Sequence, residues 1–442
     1  MEAMLANYGT TIQLIDNDLA RSNEEFKKQM EMSNENKKKR MKSILRTTLT
    51  MMKTSGNVQE TPDDSSTKTW WEQFKDSDYP DDQCFEFFRC SRKTYVYLIE
   101  KLSPYIEPRA GMTVHHRSAK NGVPVDKQIA VVLSKISNRD TFGTMSAKFS
   151  LYKPTVHKIM QRFVDIVCKH LLPQVVKMPD SAEAAEIAAS FEQQTKLPQL
   201  IGIIDTLHIP ICNSYGMDDA FTNSKNYYSF VAQTIVDSKN CFRDVSIRFP
   251  GSRTDIEILQ DSNIYRLHEK VIPPETQSIN GMEIPYYVIG PRSYPLLSWL
   301  MTEYPMATSN SDLLFNSYIE AASQLRKTAI ERMRARFDIL NYPIDVNIGI
   351  LPQLIGCCFA LHNICERHGD FLSDERIKSS LIVVSNYEQP EKVPYTDKNM
   401  CLKGVNQRDC IRNYFVTLDD IDQSTFGYMD YESIDFLTEE VV

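Results

Sequence analysis

Three acidic side chains in the second half of the chain, Asp205, Asp255 and Glu331, are placed where carboxylate chemistry could occur. Asp205 ends the apolar run Ile201-Gly202-Ile203-Ile204, and a charge at such a buried edge needs a reason. The plain alternative is an Asp that opens a turn. Asp255 follows the Pro250-Gly251-Ser252 turn at the start of a helix, where capping would explain it equally well. Glu331 lies off the apolar stripe Tyr318, Ala322, Leu325 and Ala329 of a long helix, near Lys327 and Arg334. Its alternative is an ordinary helix ion pair, contributing a few tenths of a kcal/mol. Carboxylates brought together from distant positions can hold divalent ions, which in two-metal sites activate water and stabilise a leaving oxygen in phosphodiester hydrolysis. Magnesium, a hard ion, would need such oxygen ligands. One strand or helix cannot surround an ion, so the fold must bring distant segments to one point.

The segments that would do so are legible as texture. Residues 199–205, 227–236, 242–249 and 284–290 read as strands; in the third, Val245, Ile247 and Phe249 alternate with Ser246 and Arg248. Helices are expected at 254–262, 294–302, 311–337 and 350–367. Strands followed by alternating strands and helices imply an α/β domain with a mixed sheet and flanking helices. Upstream, 84–103 reads as one helix with Ser91 as a plausible N-cap and Pro104 and Pro108 ending the segment. Helices at 125–137, 140–149 and 153–170 follow as a helix–turn–helix candidate. In the third, Val156, Ile159, Met160, Phe163, Ile166 and Val167 form the apolar stripe, and Lys153, His157, Lys158 and Arg162 the opposite face. A short basic helix after a tight turn can enter a major groove. An ordinary three-helix unit with a solvated basic face fits as well.

Composition narrows the class. The 442 residues, 42% of them apolar, support a sizeable core, and 50 basic against 58 acidic side chains do not describe a whole-chain nucleic-acid binder. A local basic patch could still bind DNA. Ten scattered cysteines without a CxxC pair point to free thiols in a reducing compartment and away from a zinc finger. The N-terminus has no secretory pattern and no apolar stretch is long enough to span a membrane, so an intracellular protein without a membrane role is expected. The expected organisation is a disordered basic segment over 1–68, a helical region over 69–195, the α/β domain over 196–370 and a flexible acidic tail over 371–442. Lys37-Lys38-Lys39-Arg40, with Lys42 and Arg46, could be a nuclear-import signal, a phosphate-contacting arm or simply a solvated helix face. From Asn413 onward there are eight acidic and no basic residues, a pattern that could dock partners or only solubilise.

Several stretches together resemble the Harbinger (PIF/Harbinger) DDE transposase superfamily. They are GIIDTLHI at 202–209, PGSRTD at 250–255, GPRSYPLLSWLMTEY at 290–304, FNSYIEAASQLRKTAIERMRARF at 315–337 and Leu361-His362-Asn363. Upstream, FFRCSRKTYVYLIEKLSPYIEP and KFSLYKPTVHKIM are similar to the family's helical entry and helix–turn–helix segments, so the resemblance covers about residues 70–370. It implies an RNase H-like nuclease fold preceded by a helix–turn–helix-like region. It also implies catalytic, metal-binding roles for Asp205, Asp255 and Glu331, with Mg or Mn as the cofactor of an active member.

This chain departs from the pattern at Pro291, where the family carries an aspartate. Proline has no side-chain oxygen, so the cage is a ligand short. Arg292 follows, and its guanidinium could pair with Asp205 or Glu331 in place of an ion. Glu283 and Glu303 are not positioned to replace the lost acid. Thr206-Leu207 stands for the family's Gly-Thr, and Thr254 for its His. The resulting expectation is a domesticated, catalytically impaired transposase that is nuclear, with a cytoplasmic pool also compatible. It would associate with DNA or chromatin proteins, with a Myb-like DNA-binding protein as a candidate partner and Lys153, His157, Lys158 and Arg162 as DNA contacts. Its alternatives are a metal-dependent nuclease using Asp205, Asp255 and Glu331 alone, and a protein-interaction scaffold with no cofactor.

Overall fold

The computed structural model describes residues 68–106, 122–138, 140–213, 219–396 and 401–425, with side chains to Thr417. The basic cluster at 37–46 and the acidic residues beyond 417 lie outside the residues so described. Helices come first: α1 (Trp70–Asp76), α2 (Asp81–Phe88), α3 (Arg92–Ile106), α4 (Val125–Ser137), α5 (Phe142–Phe149) and α6 (Lys153–Ile166). A π-turn at Val167–Leu171 leads into α7 (Leu172–Val175), and α8 (Ser181–Thr195) follows. The segment expected to be one helix over 84–103 is two. Arg89 adopts a left-handed conformation (φ 59°) that ends α2, and Ser91 Oγ accepts from the Thr94 amide to start α3. Pro104 does not end α3, which continues to Ile106.

The sheet has five strands in the order β3-β2-β1-β6-β7. These are β1 (Leu200–Pro210), β2 (Ser229–Val236), β3 (Phe242–Pro250), β6 (Tyr287–Ile289) and β7 (Leu300–Met301). β1, β2 and β3 are antiparallel neighbours, whereas β6 joins β1, and β7 joins β6, in parallel. Between them lie α9 (Asp255–Asp261), α10 (Asn263–Val271) and a hairpin of β4 (Thr276–Ile279) and β5 (Met282–Pro285). The hairpin turns at Asn280-Gly281, both at positive φ (49° and 80°), the geometry that suits tight hairpins. This mixed sheet with flanking helices is the expected RNase H-like α/β fold, preceded by a helical region.

Two differences in the strands have plain causes. β1 runs five residues past Asp205, because its register with β2 continues to Pro210 opposite Ser229. Asp205 therefore lies in mid-strand. The expected helix at 294–302 does not form. Val288 and Ile289 take Leu300 and Met301 as parallel partners, and Pro295 has no amide to donate to a helix.

After β7 come α11 (Asn310–Arg336), α12 (Leu351–His368), α13 (Asp374–Val384) and α14 (Leu402–Thr425). α11 contributes to two hydrophobic cores. Its first half (Phe315, Ile319, Ala322) packs with β1 residues Ile201 and Ile203, and its second half (Ala329, Ile330, Met333) joins a core shared by the N-terminal helices, β1 residues Leu207 and Ile209, and α12. By their contacts, the described residues from Lys68 onward group into one compact unit. The segment expected to be a loose acidic tail is folded through much of its length. Ile411 and Phe415 of α14 are buried, Phe415 stacks on Tyr318 at 4.3 Å, and Arg412 pairs with Asp312 at 2.9 Å. Counting acids conceals that apolar spacing. Among the described residues no helix is long and apolar enough to cross a membrane, and the cysteines are free thiols.

Candidate active site

Asp205 and Asp255 do converge. β1 carries Asp205 opposite Thr234 of β2, and α9 begins with Asp255 immediately after Thr254, which caps the helix in a reciprocal box with Glu257. Asp255 is thus not the cap, and its carboxylate is left to turn toward the sheet. There it accepts hydrogen bonds from Thr206 Oγ1 at 2.7 Å and Ser293 Oγ at 2.6 Å. Burial opposes ionisation of Asp255, but the neighbouring Lys392 ammonium and these two hydroxyl donors outweigh it and hold the carboxyl below its ordinary range.

The space between the two carboxylates is taken by Lys392. Its Nζ lies 2.5 Å from Asp205 Oδ1, 3.1 Å from Asp255 Oδ2 and 2.6 Å from Thr206 Oγ1. Arg326 of α11 completes the neutralisation, with Nη1 2.9 Å from Asp205 Oδ2 and Nη2 donating to the Thr206 carbonyl at 2.7 Å. Two carboxylates meet two cations, and each charge gains charge-assisted hydrogen bonds.

Arg292 is not the replacement cation. It pairs with Glu303 at 2.5 Å, and among the described residues no ion pair joins it to Asp205 or Glu331. Glu303 and Arg292 line the same cleft as Asp205, Pro291, Glu320 and Arg326, whereas Glu283 bonds Thr276 in the hairpin. Glu331 is half-buried on α11, where burial pushes its carboxyl up against the pull of Lys327. It lies five residues beyond Arg326, about 140° around the helix axis from the turn that faces Asp205. Among the described residues no group of three or more His, Cys, Asp or Glu could hold a metal ion. The arrangement does not fit a two-metal centre: an ammonium stands between the acids and position 291 offers no oxygen.

Residues of segment 385–396 were invisible as site residues in the sequence. Gln389 grips both backbone groups of His208, accepting from its N–H (2.8 Å) and donating to its carbonyl (3.0 Å). Past Ile203, β1 has lost β6 as a partner, so the Gln389 amide stands in for a neighbouring strand. Nothing in the composition of this Pro- and Glu-containing stretch signals that role. The hydroxyl of Thr206 was visible only as a departure from the family pattern.

One glycine is required by close approach. A Cβ on Gly251 would lie 2.4 Å from the Phe221 carbonyl and 2.4 Å from Ser229 Oγ. Gly251→Ala should therefore destabilise the chain by about 1–3 kcal/mol through forced backbone movement in the turn that presents Asp255. An unchanged melting temperature would refute this.

The basic face of α6 is also formed. Lys153, His157, Lys158 and Arg162 are exposed, and Val156, Ile159, Met160 and Phe163 are buried beneath them. The His157 ring stacks on Phe142 of α5 with centroids 3.6 Å apart, and Arg162 donates to the Ile106 carbonyl. Among the described residues Lys153 and Lys158 have no ion-pair partner, and they lie beside the exposed Tyr152.

Residues 204–363 match the DDE superfamily endonuclease family. The chain is 29% identical over 324 residues to the Arabidopsis thaliana protein named antagonist of like heterochromatin protein 1, covering 69% of this chain and 80% of that one. It is 28% identical over 316 residues to an Arabidopsis thaliana ALP1-like protein, covering 67% and 74%. It is 20% identical over 306 residues to HARBI1 of Mus musculus, covering 67% and 81%. No solved structure matches the chain. Over residues 204–363 the chain is thus similar to the DDE superfamily endonucleases, and over about two thirds of its length to the ALP1-like and HARBI1 proteins.

Proposed function

We propose that this chain is a domesticated DDE-fold protein that is silent as a nuclease and works as a nuclear DNA- or chromatin-associated protein. The observation that carries the reading is Lys392 between Asp205 and Asp255, where the superfamily's chemistry would need divalent metal. An ammonium cannot generate a metal-bound hydroxide, so the carboxylate pair holds Lys392 of a strap of the chain where the chemistry would need a metal ion. The heterochromatin reference in the name of one relative agrees with a chromatin setting. The exposed Lys153 and Lys158 are the DNA contacts that this reading assigns to α6, with His157 and Arg162 flanking them. A Myb-like DNA-binding partner is compatible with it.

The test has two parts. Supercoiled plasmid incubated with the full chain and Mg or Mn should remain uncut. Nicking that disappears in Asp205→Ala would instead establish the metal-dependent nuclease using Asp205, Asp255 and Glu331. DNA affinity should fall steeply with salt, and the double variant Lys153→Ala/Lys158→Ala should lower the slope of log affinity against log salt by about 2, roughly one per lost phosphate contact. A chain that binds no DNA at low salt would leave only the protein-interaction scaffold.

A further inference from the structure

Charge is unevenly spread along the chain. The whole carries a net charge of −8, yet residues 141–179 hold six basic side chains, Lys148, Lys153, Lys158, Arg162, Lys169 and Lys177, against one acid, Asp165. Asp165 is already answered by Lys169 at 2.9 Å. Lys148 is drawn inward over the rings of Trp70 and Phe87. Lys153, Lys158 and Arg162 stay exposed on α6, and a row of this kind is complementary to a polyanion.

Rings are set among these cations. Tyr152, immediately before α6, is 83% exposed, and its side chain makes no capping hydrogen bond to the helix it precedes. Farther along α6, His157 lies on Phe142 of α5 with 22° between the ring planes. At the far end, His170 of the π-turn stacks on Tyr105 of α3, with centroids 3.9 Å apart and planes at 12°. Tyr105 is itself exposed, and the bond from Arg162 to the Ile106 carbonyl ties this end of α3 to the same face. At 1.5 Å per residue, the path from Tyr152 to His170 is about 27 Å long.

A solvated basic face requires the cations alone. The rings add something that a duplex cannot use, because its bases are already stacked on one another. A single strand offers both of its parts to such a surface. Its phosphates meet the cations, and its bases stack on the rings whatever their sequence.

We propose that this face binds single-stranded DNA, with Tyr152 stacking on a base while Lys153 and Lys158 meet the adjoining phosphates. The inference rests on reading the chain as DNA-associated, and it adds the form of DNA that α6 takes.

The test compares ligands and variants by fluorescence anisotropy on the full chain. Labelled oligothymidine of about 15 nucleotides should bind more tightly than a duplex of the same length at matched salt. Tyr152→Ala should weaken oligothymidine binding at least about fivefold, the low end of what one stacked base contributes. Tyr152→Phe keeps the ring and should keep the affinity, which separates stacking from any effect on folding. Stacking releases no counterions, so Tyr152→Ala should leave the slope of log affinity against log salt unchanged, whereas Lys153→Ala/Lys158→Ala should lower it. Duplex bound as tightly as oligothymidine, or a Tyr152→Ala variant that binds like the unmodified chain, overturns the inference. Oligouridine bound more tightly than oligothymidine overturns DNA as the partner. Salt-dependent duplex binding without a single-strand preference removes this inference and leaves the DNA-associated reading standing; binding of neither form at low salt removes both.

Discussion

Replacing Arg336 with methionine should cost about 3–5 kcal/mol of stability, a loss readable as a shifted denaturant midpoint. Arg336 is fully buried at the end of α11 and joins three parts of the fold. Its guanidinium donates to the Arg89 carbonyl between α2 and α3, to the Asp370 carbonyl after α12 at 2.6 Å, and to Glu366 Oε1 of α12 at 3.3 Å. Burial pushes the Glu366 carboxyl up, while Arg332 and Arg336 pull it down. Removing Arg336 leaves that buried acid to Arg332 alone, at 2.7 Å, and strips two buried carbonyls of a donor. Methionine preserves much of the volume, so the loss reports the polar network and not a cavity. Arg332→Met should cost less, because that side chain is 18% exposed and only one of its contacts, the Glu366 pair, is an ion pair. A double-mutant cycle between Arg336→Met and Glu366→Gln should give a coupling of about 1–3 kcal/mol. A loss below about 1 kcal/mol for Arg336→Met would mean that the network does not tie the helical region to the sheet.

Between pH 7.5 and 5 the chain should lose about 2–3 kcal/mol of unfolding free energy. Two histidines drive the loss. Burial, reinforced by the Lys392 ammonium, holds the His208 imidazole down at about 4. Burial, reinforced by Arg336, holds His362 down at about 3. Both are near 6.5 in the unfolded chain. Above that pH both states are neutral and their contribution is fully present. As pH falls below it, the unfolded chain takes up protons that the folded chain refuses, and stability declines until pH passes the folded values. Asp244 acts in the opposite sense. Burial raises its carboxyl to about 6, so the folded state binds a proton first and recovers part of the loss below that pH. His362→Gln, whose amide can still reach the Asn240 carbonyl that His362 Nε2 contacts at 3.0 Å, should remove close to half of the histidine contribution. A stability that stays flat from pH 7.5 to 5 would contradict neutral, buried imidazoles.

Much of this protein could be read directly from the chain, because the signals are local. Apolar runs and alternation locate β1, β2 and β3, since a pleated, half-buried strand imposes a period of two. The stripe of α6 and its basic face follow from a period of 3.6. Asp205 and Asp255 were identifiable because each carboxylate adjoins a strand or turn that gives it direction. Helix assignment at 294–302 failed for the converse reason: the local pattern favoured a helix, but a parallel partner at Val288-Ile289 was available. The mid-strand position of Asp205 likewise depends on how far β2 stays in register.

The amino-acid order by itself determined the α/β class and the candidate acids, properties of side-chain type and short-range spacing, while the loss of an oxygen ligand at Pro291 followed from the resemblance to the family pattern. Only the tertiary structure decided which cation would face those acids. Arg292 is adjacent in sequence to the altered position, yet it turns to Glu303, and the role falls to Lys392, 186 positions from the Thr206 hydroxyl it contacts. Coulomb attraction depends on distance in space, and a chain that folds back on itself sets that distance without leaving a periodic trace in its sequence.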